Sequence, residues 1–348
     1  MVHILIATWG MVVLALHIDA SLRTQLIECN PKVHPMAGAL PSCFVVNFDC
    51  YRLGISGLMD EVKKEWERFD HGTVEKLQIL HCSAMEVPTH IQQFHHLREI
   101  YAYNTTFVKW DANAALSGDH HPKLGSISIA RSNMTGGLLP LGLHSKDFPS
   151  TVFGMYFVET NLKSLPDDLD SKWPRCAIYI ENSLLTDVPP SLMRLQPSTL
   201  SLAGNPIRAA PKEIFESGII QYTSLSRTLV CELPQNVSFV LSYATQLELM
   251  NTSISFFWAW IDPLAGLALE LSSTIFAGGS TYCFDLEKIL SGTASTFSEP
   301  FQAGHSTLLM NASEANWDIL RRAVDCTAMT EPTTPRLAYW DQLFALGA

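Results

Sequence analysis

Apolar residues make up 47% of this 348-residue chain, which is enough to bury a sizeable core. With only 16% charged residues, the chain does not have the composition of an intrinsically disordered protein. Its net charge of -11, with only 23 lysines and arginines, argues against the basic stripe that nucleic-acid-binding proteins carry.

The first segment of the chain is an apolar stretch from Ile4 to Ile18, followed by small and polar residues. A helix of this length spans about 22 Å, less than the roughly 30 Å hydrocarbon core of a bilayer. We therefore predict that residues 1–20 are a signal peptide. Because His3 is the only basic residue ahead of the stretch, a retained anchor or the remnant of a membrane-spanning helix remains an alternative.

Residues 21–72 are predicted to form a cysteine-containing N-terminal cap. Cys29, Cys43 and Cys50 lie in a loop-rich stretch, and the segment MDEVKKEWERF that follows has the pattern of a helix. We expect this helix to cover the end of the domain that comes next.

Residues 73–263 repeat one pattern. In LSLAGNPIRAAP, the aliphatic Leu200 and Leu202 are followed by Asn205 and then by Ile207 and Ala-Pro. We call the position of Asn205 the turn slot. Eight copies occur, at spacings of 23, 27, 28, 23, 22, 23 and 24 residues, with the turn-slot residues Cys82, Thr105, Ser132, Thr160, Ser183, Asn205, Thr228 and Thr252.

Each copy predicts a short strand whose two aliphatic residues point into the core, followed by a sharp turn. The turn-slot side chain is expected to bond backbone groups that the turn leaves unpaired, as a structural ladder. The period is that of leucine-rich repeats. We therefore predict an α/β repeat fold, a leucine-rich repeat solenoid of about eight repeats with a curved parallel sheet on its concave face and a cap at each end.

Residues 264–348 are predicted to form a C-terminal cap and tail. Cys283 and Cys326 bracket the segment SEANWDILRRAVDC, in which Ser313 is a candidate helix N-cap. We expect the two cysteines to form a disulfide that fastens this cap. The expected apolar face of the helix consists of Ile319, Leu320 and Val324.

Four segments carry a resemblance to a known group of proteins. They are HPMAGALPSCFVVNFDCYRLGISG, LPDDLDSKW, SFFWAWID and MNASEANWDILRRAVDC. These segments resemble a family of uncharacterised leucine-rich repeat proteins known from oomycete genomes, some of which carry membrane-spanning segments ahead of this region. The resemblance implies an ectodomain and supplies no ligand or catalytic residue.

Cysteines and glycosylation sequons both indicate an extracellular or cell-surface protein. There are eight cysteines and no C-x-x-C pair of the kind that binds zinc or performs redox chemistry. Five Asn-x-Ser/Thr sequons lack proline at the middle position. The sequon residues, predicted to be glycosylated, are Asn104, Asn133, Asn236, Asn251 and Asn311.

The pairing of the other cysteines is left open by the sequence. We interpret Cys82 as a buried turn-slot residue with a free thiol. The three cysteines of the N-terminal cap then leave one odd thiol, for which Cys176 or Cys231 is a possible partner.

Catalysis is not expected. The pairs His95-His96 and His120-His121 fall between predicted strands, where we interpret them as solvated loop residues, since sequence neighbours rarely converge on one metal ion. The chain has neither a G-x-S-x-G motif nor a glycine-rich phosphate loop. We therefore predict no enzyme activity, no metal and no cofactor.

The predicted binding surface is the concave face of the sheet. Its first outward column consists of Gln78, Tyr101, Ser128, Tyr156, Tyr179, Ser201, Ser224 and Glu248. Tyrosines beside charged residues suit recognition, although tyrosine is also simply a good strand residue. The candidate ligand-binding residues are Tyr101, Tyr103, Arg131, Tyr156, Glu159, Tyr179, Glu181 and Arg227.

The function predicted from these features is non-catalytic extracellular recognition of a protein or glycan ligand. The alternative is the ectodomain of a membrane-anchored, receptor-like protein without its own kinase. An enzyme or a purely structural wall component is a third class. We expect no nucleic-acid partner, and a membrane association only if the N-terminal segment is retained.

Overall fold

The computed structural model of the chain describes residues 2–22, 26–33, 40–238, 246–268, 275–327 and 335–344. The fold is α/β, with a large and mostly parallel β-sheet accompanied by helices. The chain divides into two compact units. Unit 1 comprises Met1–Ser128 and Pro140–Val152, and unit 2 comprises Ile129–Leu139 and Phe153–Gly347.

Unit 1 contains three helices and six strands within the described residues, and the first three residues of a seventh strand, β7, belong to it. In it, β1 pairs with β2 in antiparallel orientation, and β2, β3 and β5 follow in parallel, while β4 pairs with β6. The helices are α1 Val2–Leu22, α2 Cys50–Leu53 and α3 Met59–Trp66. The strands are β1 Cys29–Val33, β2 Ser42–Asp49, β3 Lys76–Leu80, β4 Met85–Glu86, β5 Glu99–Tyr103, β6 Thr106–Lys109 and β7 Ser126–Ala130. Its 3-10 turns are His71–Thr73, Thr89–Gln93, Ala112–Ala114 and Leu141–Leu143.

Unit 2 carries seven consecutive parallel strands, β9 to β15. The strands are β8 Asn133–Met134, β9 Gly154–Val158, β10 Ala177–Glu181, β11 Thr199–Ser201, β12 Tyr222–Ser224, β13 Gln246–Glu248, β14 Ile275–Phe276 and β15 Val324–Asp325. The helices are α4 Pro190–Leu195, α5 Glu213–Glu216, α6 Asp262–Ala268, α7 Thr281–Leu290, α8 Trp317–Ala323 and α9 Pro335–Phe344. Its 3-10 turns are Thr135–Gly137, Leu169–Ser171, Ala259–Ile261 and Glu314–Asn316.

The aliphatic pair of each repeat fixes the register of the strands. Leu200 of β11 lies between Ile178 of β10 and Thr223 of β12, and both Leu200 and Leu202 are fully buried. Because alternate residues of a strand point to opposite faces, burying this pair fixes which side chains face the other way.

Two disulfides fasten the start of unit 1. Cys29 pairs with Cys43, and Cys50 pairs with Cys82. The expectation that Cys82 is a free thiol is therefore wrong: Cys50, directly after β2, lies opposite the end of β3 and within disulfide reach of the turn slot. Helix α3 covers the same region and buries Val62 and Trp66.

The C-terminal region differs in detail from the sequence prediction. Cys283 and Cys326 are joined by a disulfide. Ser313 precedes a 3-10 turn and makes no capping hydrogen bond through its side chain, so the helix begins only at Trp317. Val324 lies in β15 rather than on the helix, and β14 and β15 add parallel strands beyond residue 263.

Helix α1 is long and apolar enough to cross a membrane. Its segment Val2–Asp19 has a mean hydropathy of 1.7 and is not buried against the rest of the chain, and a signal sequence has the same properties. Together with the three disulfides, this helix fits a secreted or extracellular protein.

Candidate ligand-binding face

Every turn slot is preceded by a residue in the left-handed backbone conformation, which turns the chain sharply after the strand. Residues other than glycine rarely adopt this backbone conformation, so its recurrence marks the same turn in each repeat. These residues are His81, Asn104, Arg131, Glu159, Asn182, Gly204, Arg227 and Asn251.

The turn-slot side chains are buried and bond the backbone. Asn205 donates to the carbonyls of Ile180 at 2.6 Å and Leu202 at 2.9 Å, and it accepts from the amide of Leu185 at 3.1 Å. Thr160 and Ser183, one repeat apart, bond each other at 2.9 Å between their hydroxyl oxygens. The bonds of Asn205 satisfy backbone groups that would otherwise be buried without partners.

A ninth copy of the turn follows β14, beyond the eight that the sequence predicts. Gly279 has a φ of 75° and is followed by Ser280, which is fully buried. The Ser280 hydroxyl accepts from the amide of Cys283 at 3.2 Å, so the same side chain caps helix α7. The signal was present in the six-residue segment IFAGGS, from Ile275 to Ser280, although Ala277 stands where most other copies have a larger apolar residue.

In unit 1, the two candidate tyrosines of β5 are unequal. Tyr101 is half-buried, and its hydroxyl donates to Glu99 at 3.1 Å. Tyr103 is only 5% exposed and lies edge-on to the His81 ring, with 5.9 Å between ring centroids. Tyr103 is therefore a packing residue in this structure, and Tyr101 offers more of its surface.

In unit 2, three tyrosines lie together on the face of the sheet opposite the aliphatic pairs. Tyr156 of β9 and Tyr179 of β10 are stacked with ring centroids 5.1 Å apart, and Tyr222 of β12 lies 6.4 Å from Tyr179. The small side chain of Ser201, in the strand between them, leaves room for this approach. We call this surface, from β9 to β13, the tyrosine face.

Two carboxylates on the tyrosine face are held in place by hydrogen bonds. The Tyr222 hydroxyl donates to Glu248 at 2.8 Å, and Gln246 donates to the same carboxylate at 3.2 Å. Glu181 is buried and accepts from the Ser201 hydroxyl. Burial, and then the Glu248 carboxylate, raise the pKa of Tyr222, so this hydroxyl stays a neutral donor.

Charged residues in the turns adjoin the tyrosine face. Arg131 pairs with Glu159 at 2.9 Å and forms a two-pronged pair with Asp341 of α9, with both N–O distances at 2.7 Å. Arg227 is half-buried in the corresponding turn after β12. Among the candidate residues of unit 2, Tyr156 and Glu181 are buried, whereas Tyr179 remains half-exposed.

The sequon residues are accessible. All five asparagines are exposed, as N-glycosylation requires. The Asn251 amide packs closely over Gly279, since a Cβ at that glycine would lie 2.1 Å from the Asn251 side-chain oxygen.

One of the four paired histidines is not the solvated loop residue that the sequence predicts. His121 is fully buried rather than solvated, and its ring bonds the Ile91 carbonyl at 2.9 Å and the Ser117 amide at 3.2 Å. Burial lowers the pKa of His121 to about 4, so the ring is neutral and structural. Among the described residues, no group of three or more His, Cys, Asp or Glu side chains is placed to hold a metal ion.

An open cleft of about 860 Å³ lies elsewhere in unit 2, between residues 295 and 313. Phe297, Phe301 and Met310 line it, and the sequon residue Asn311 stands at its wall. The sequence offered no pattern that would have singled out this cleft.

No known protein family matches the sequence, and no curated protein matches it. Among solved structures, the chain is similar to one from an octameric complex of Latrophilin 3 (Lec, Olf), Unc5D (Ig, Ig2, TSP1) and FLRT2 (LRR). The identity is 14% and the TM-score 0.33, over 72% of this chain and 91% of that chain. A likeness of this degree is too distant to carry an argument about fold or partners.

Proposed function

We propose that this chain is a non-catalytic extracellular recognition protein, built as a leucine-rich repeat solenoid, that binds a protein or glycan ligand on its concave face. In this proposal, residues 73–263 are the repeats, residues 21–72 and 264–348 are the caps, and residues 1–20 are a signal peptide or anchor. As part of this proposal, the chain is related to the uncharacterised leucine-rich repeat proteins of oomycetes that its sequence resembles.

Support for the solenoid comes from the recurrence of one local design. Parallel strands follow at intervals of 22 to 28 residues, each with a left-handed turn and a buried turn-slot side chain. A repeat of this size cannot bury its apolar edge alone, so stacking the copies supplies the core.

The observation that carries the functional proposal is the row of three tyrosines on one face of unit 2. Aromatic rings offer a large contact area at small entropic cost, and their hydroxyls bond polar groups of protein or sugar. Tyr179 and Tyr222 are half-exposed, and Glu248 fixes the hydroxyl of Tyr222. Such a surface is rigid before any ligand arrives, which lowers the cost of binding.

Affinity capture tests the proposal. The unchanged chain and a Tyr179→Ala variant are immobilised and exposed to extracellular fluid and to a glycan array, with Phe284→Ala as the control. Phe284 is 57% exposed on α7, away from the tyrosines in sequence. We expect a ligand that the control retains and the Tyr179 variant loses; identical retention by all three chains would contradict the proposal.

The second candidate is the ectodomain of a membrane-anchored receptor-like protein. The apolar, unburied helix Val2–Leu22 favours it. Fractionation of cells that express the full sequence separates the two candidates. A chain released into the medium without residues 1–20 favours the secreted protein, and a chain retained in the membrane fraction favours the anchored one.

A further inference from the structure

Helix α9 buries one stripe of its surface. Leu337 is 0% exposed, and Trp340 and Phe344 are each 5% exposed, at positions i, i+3 and i+7 of the helix. Tyr339, on another side, is 60% exposed. Helical residues at these spacings share one face, so α9 has one buried face and one exposed face.

Strand β9 is buried on both of its faces. All five residues from Gly154 to Val158 are buried, whereas in the neighbouring β10 Ala177 and Tyr179 are only half-buried. Met155 and Phe157 face the aliphatic core, so the alternate residues Tyr156 and Val158 belong to the tyrosine face. Val158 is 0% exposed. Both outward-facing residues of β9, Tyr156 and Val158, are therefore shielded from solvent.

The Arg131–Asp341 ion pair shows where α9 lies. Arg131 also contacts Glu159, which directly follows β9, at 2.9 Å. Asp341 follows Trp340 in α9, so the middle of the helix is anchored beside the carboxyl end of β9. A two-pronged arginine–carboxylate pair also fixes the orientation of the helix.

We propose that α9 is a resident occupant of the β9 end of the tyrosine face, and that the partner recognised there presents an amphipathic helix of the same kind, with an apolar stripe and an acidic residue for Arg131. This proposal rests on the proposed function and names its partner class. The partner helix displaces α9, whose covalent attachment gives it a high effective concentration at the site. The β9 end of the tyrosine face is therefore covered by α9 until a partner helix of higher affinity displaces it.

A labelled peptide tests the proposal directly. The probe is a fluorescein-labelled peptide with the sequence of residues 333–347, and its binding to the full chain is followed by fluorescence anisotropy. The double change Leu337→Ala and Trp340→Ala in the full chain removes two buried side chains of α9 and so weakens its packing; we call this variant the loosened chain. We expect the loosened chain to bind the peptide about tenfold or more tightly than the unchanged chain, because the attached competitor is gone. Tyr339→Ala is the control and should leave the affinity for the peptide the same as in the unchanged chain.

A charge exchange shows that the peptide occupies the α9 site. Arg131→Glu in the loosened chain should abolish binding of the unchanged peptide, and a peptide with Asp341→Lys should restore it. Circular dichroism and the melting temperature confirm that each chain remains folded. No binding to a folded, loosened chain would overturn the proposal, as would equal binding with or without Arg131→Glu. If these results occur while Tyr179→Ala still abolishes capture of a ligand, only this inference fails and the proposed function stands.

Discussion

Tyr179 stacks on Tyr156 with ring centroids 5.1 Å apart and 29° between the ring planes. The stack depends on a neighbour with no side chain, since a Cβ at Gly154 would lie 2.5 Å from the Tyr156 hydroxyl. Gly154 thus provides the space in which the Tyr156 ring lies over its own strand.

The first prediction concerns Gly154. Gly154→Ala should lower the free energy of unfolding by about 1 to 3 kcal/mol, because the new methyl group displaces the Tyr156 ring. In a Tyr156→Ala background the same change should cost little, since the ring is already absent. Gly118→Ala is a matched control, because its Cβ would meet no atom closer than 3.6 Å. Urea unfolding measures all four variants; additive costs of the Gly154 and Tyr156 changes would show that the ring does not depend on the glycine.

The second prediction concerns the turn slot. Asn205→Ala should lower the free energy of unfolding by about 1 to 3 kcal/mol, because it leaves the Ile180 carbonyl and the Leu185 amide without a buried partner. Lys212→Ala, which removes only a half-exposed ion pair with Glu216, should change stability by less than about 0.5 kcal/mol. Equal melting temperatures for the two variants would argue against the structural ladder.

The third prediction concerns the cysteines. Peptide mapping without reduction should recover Cys29–Cys43, Cys50–Cys82 and Cys283–Cys326. Cys231 is exposed and should be alkylated in the folded chain. Cys176 should react only after unfolding, because burial raises the pKa of its thiol to about 12. Alkylation of Cys82 in the unreduced chain would contradict this pairing.

The fourth prediction is a pH dependence. Because the pKa of His121 is lowered to about 4 in the folded chain, the unfolded chain takes up its proton first as the pH falls. The stabilisation is fully present above about pH 6.5 and is lost between about pH 6.5 and pH 4, by about 3 kcal/mol in total. His120 and His95 act in the same direction as burial but contribute less.

Urea unfolding at several pH values measures this effect. His121→Gln should be less stable than the unchanged chain at pH 7 and should lose less stability on acidification. The exposed His96→Gln serves as the control and should keep the original pH profile. An identical profile for His121→Gln would mean that the ring is not buried in its neutral form.

Local features of the fold were predictable because each repeat encodes them within about a dozen residues. The pair Leu200 and Leu202, the turn slot at Asn205 and the following Ile207 all appear in order, and the structure buries all four. The left-handed residue before the slot was less visible in three repeats, because arginine and glutamate, as at Arg131, Glu159 and Arg227, are not enriched in this conformation.

Long-range relationships were not predictable from local pattern. The Cys50–Cys82 disulfide and the contact of the His121 ring with the Ile91 carbonyl join residues that are 32 and 30 positions apart in the sequence. The pair between Arg131 and Asp341 spans 210 positions, and α9 carries no repeat motif. Alternation along β9 predicted that Tyr156 faces outward, but not that its side chain would be buried there.

Hydroxyl-radical footprinting of the chain with and without its captured ligand tests whether the ligand binds on the tyrosine face. We expect reduced oxidation of Tyr179 and Tyr222 in the complex, with no change at Phe284 and Phe301, which are 57% and 59% exposed. Protection of Phe301 with unchanged oxidation of Tyr179 and Tyr222 would contradict the account and move the binding site to the cleft between residues 295 and 313.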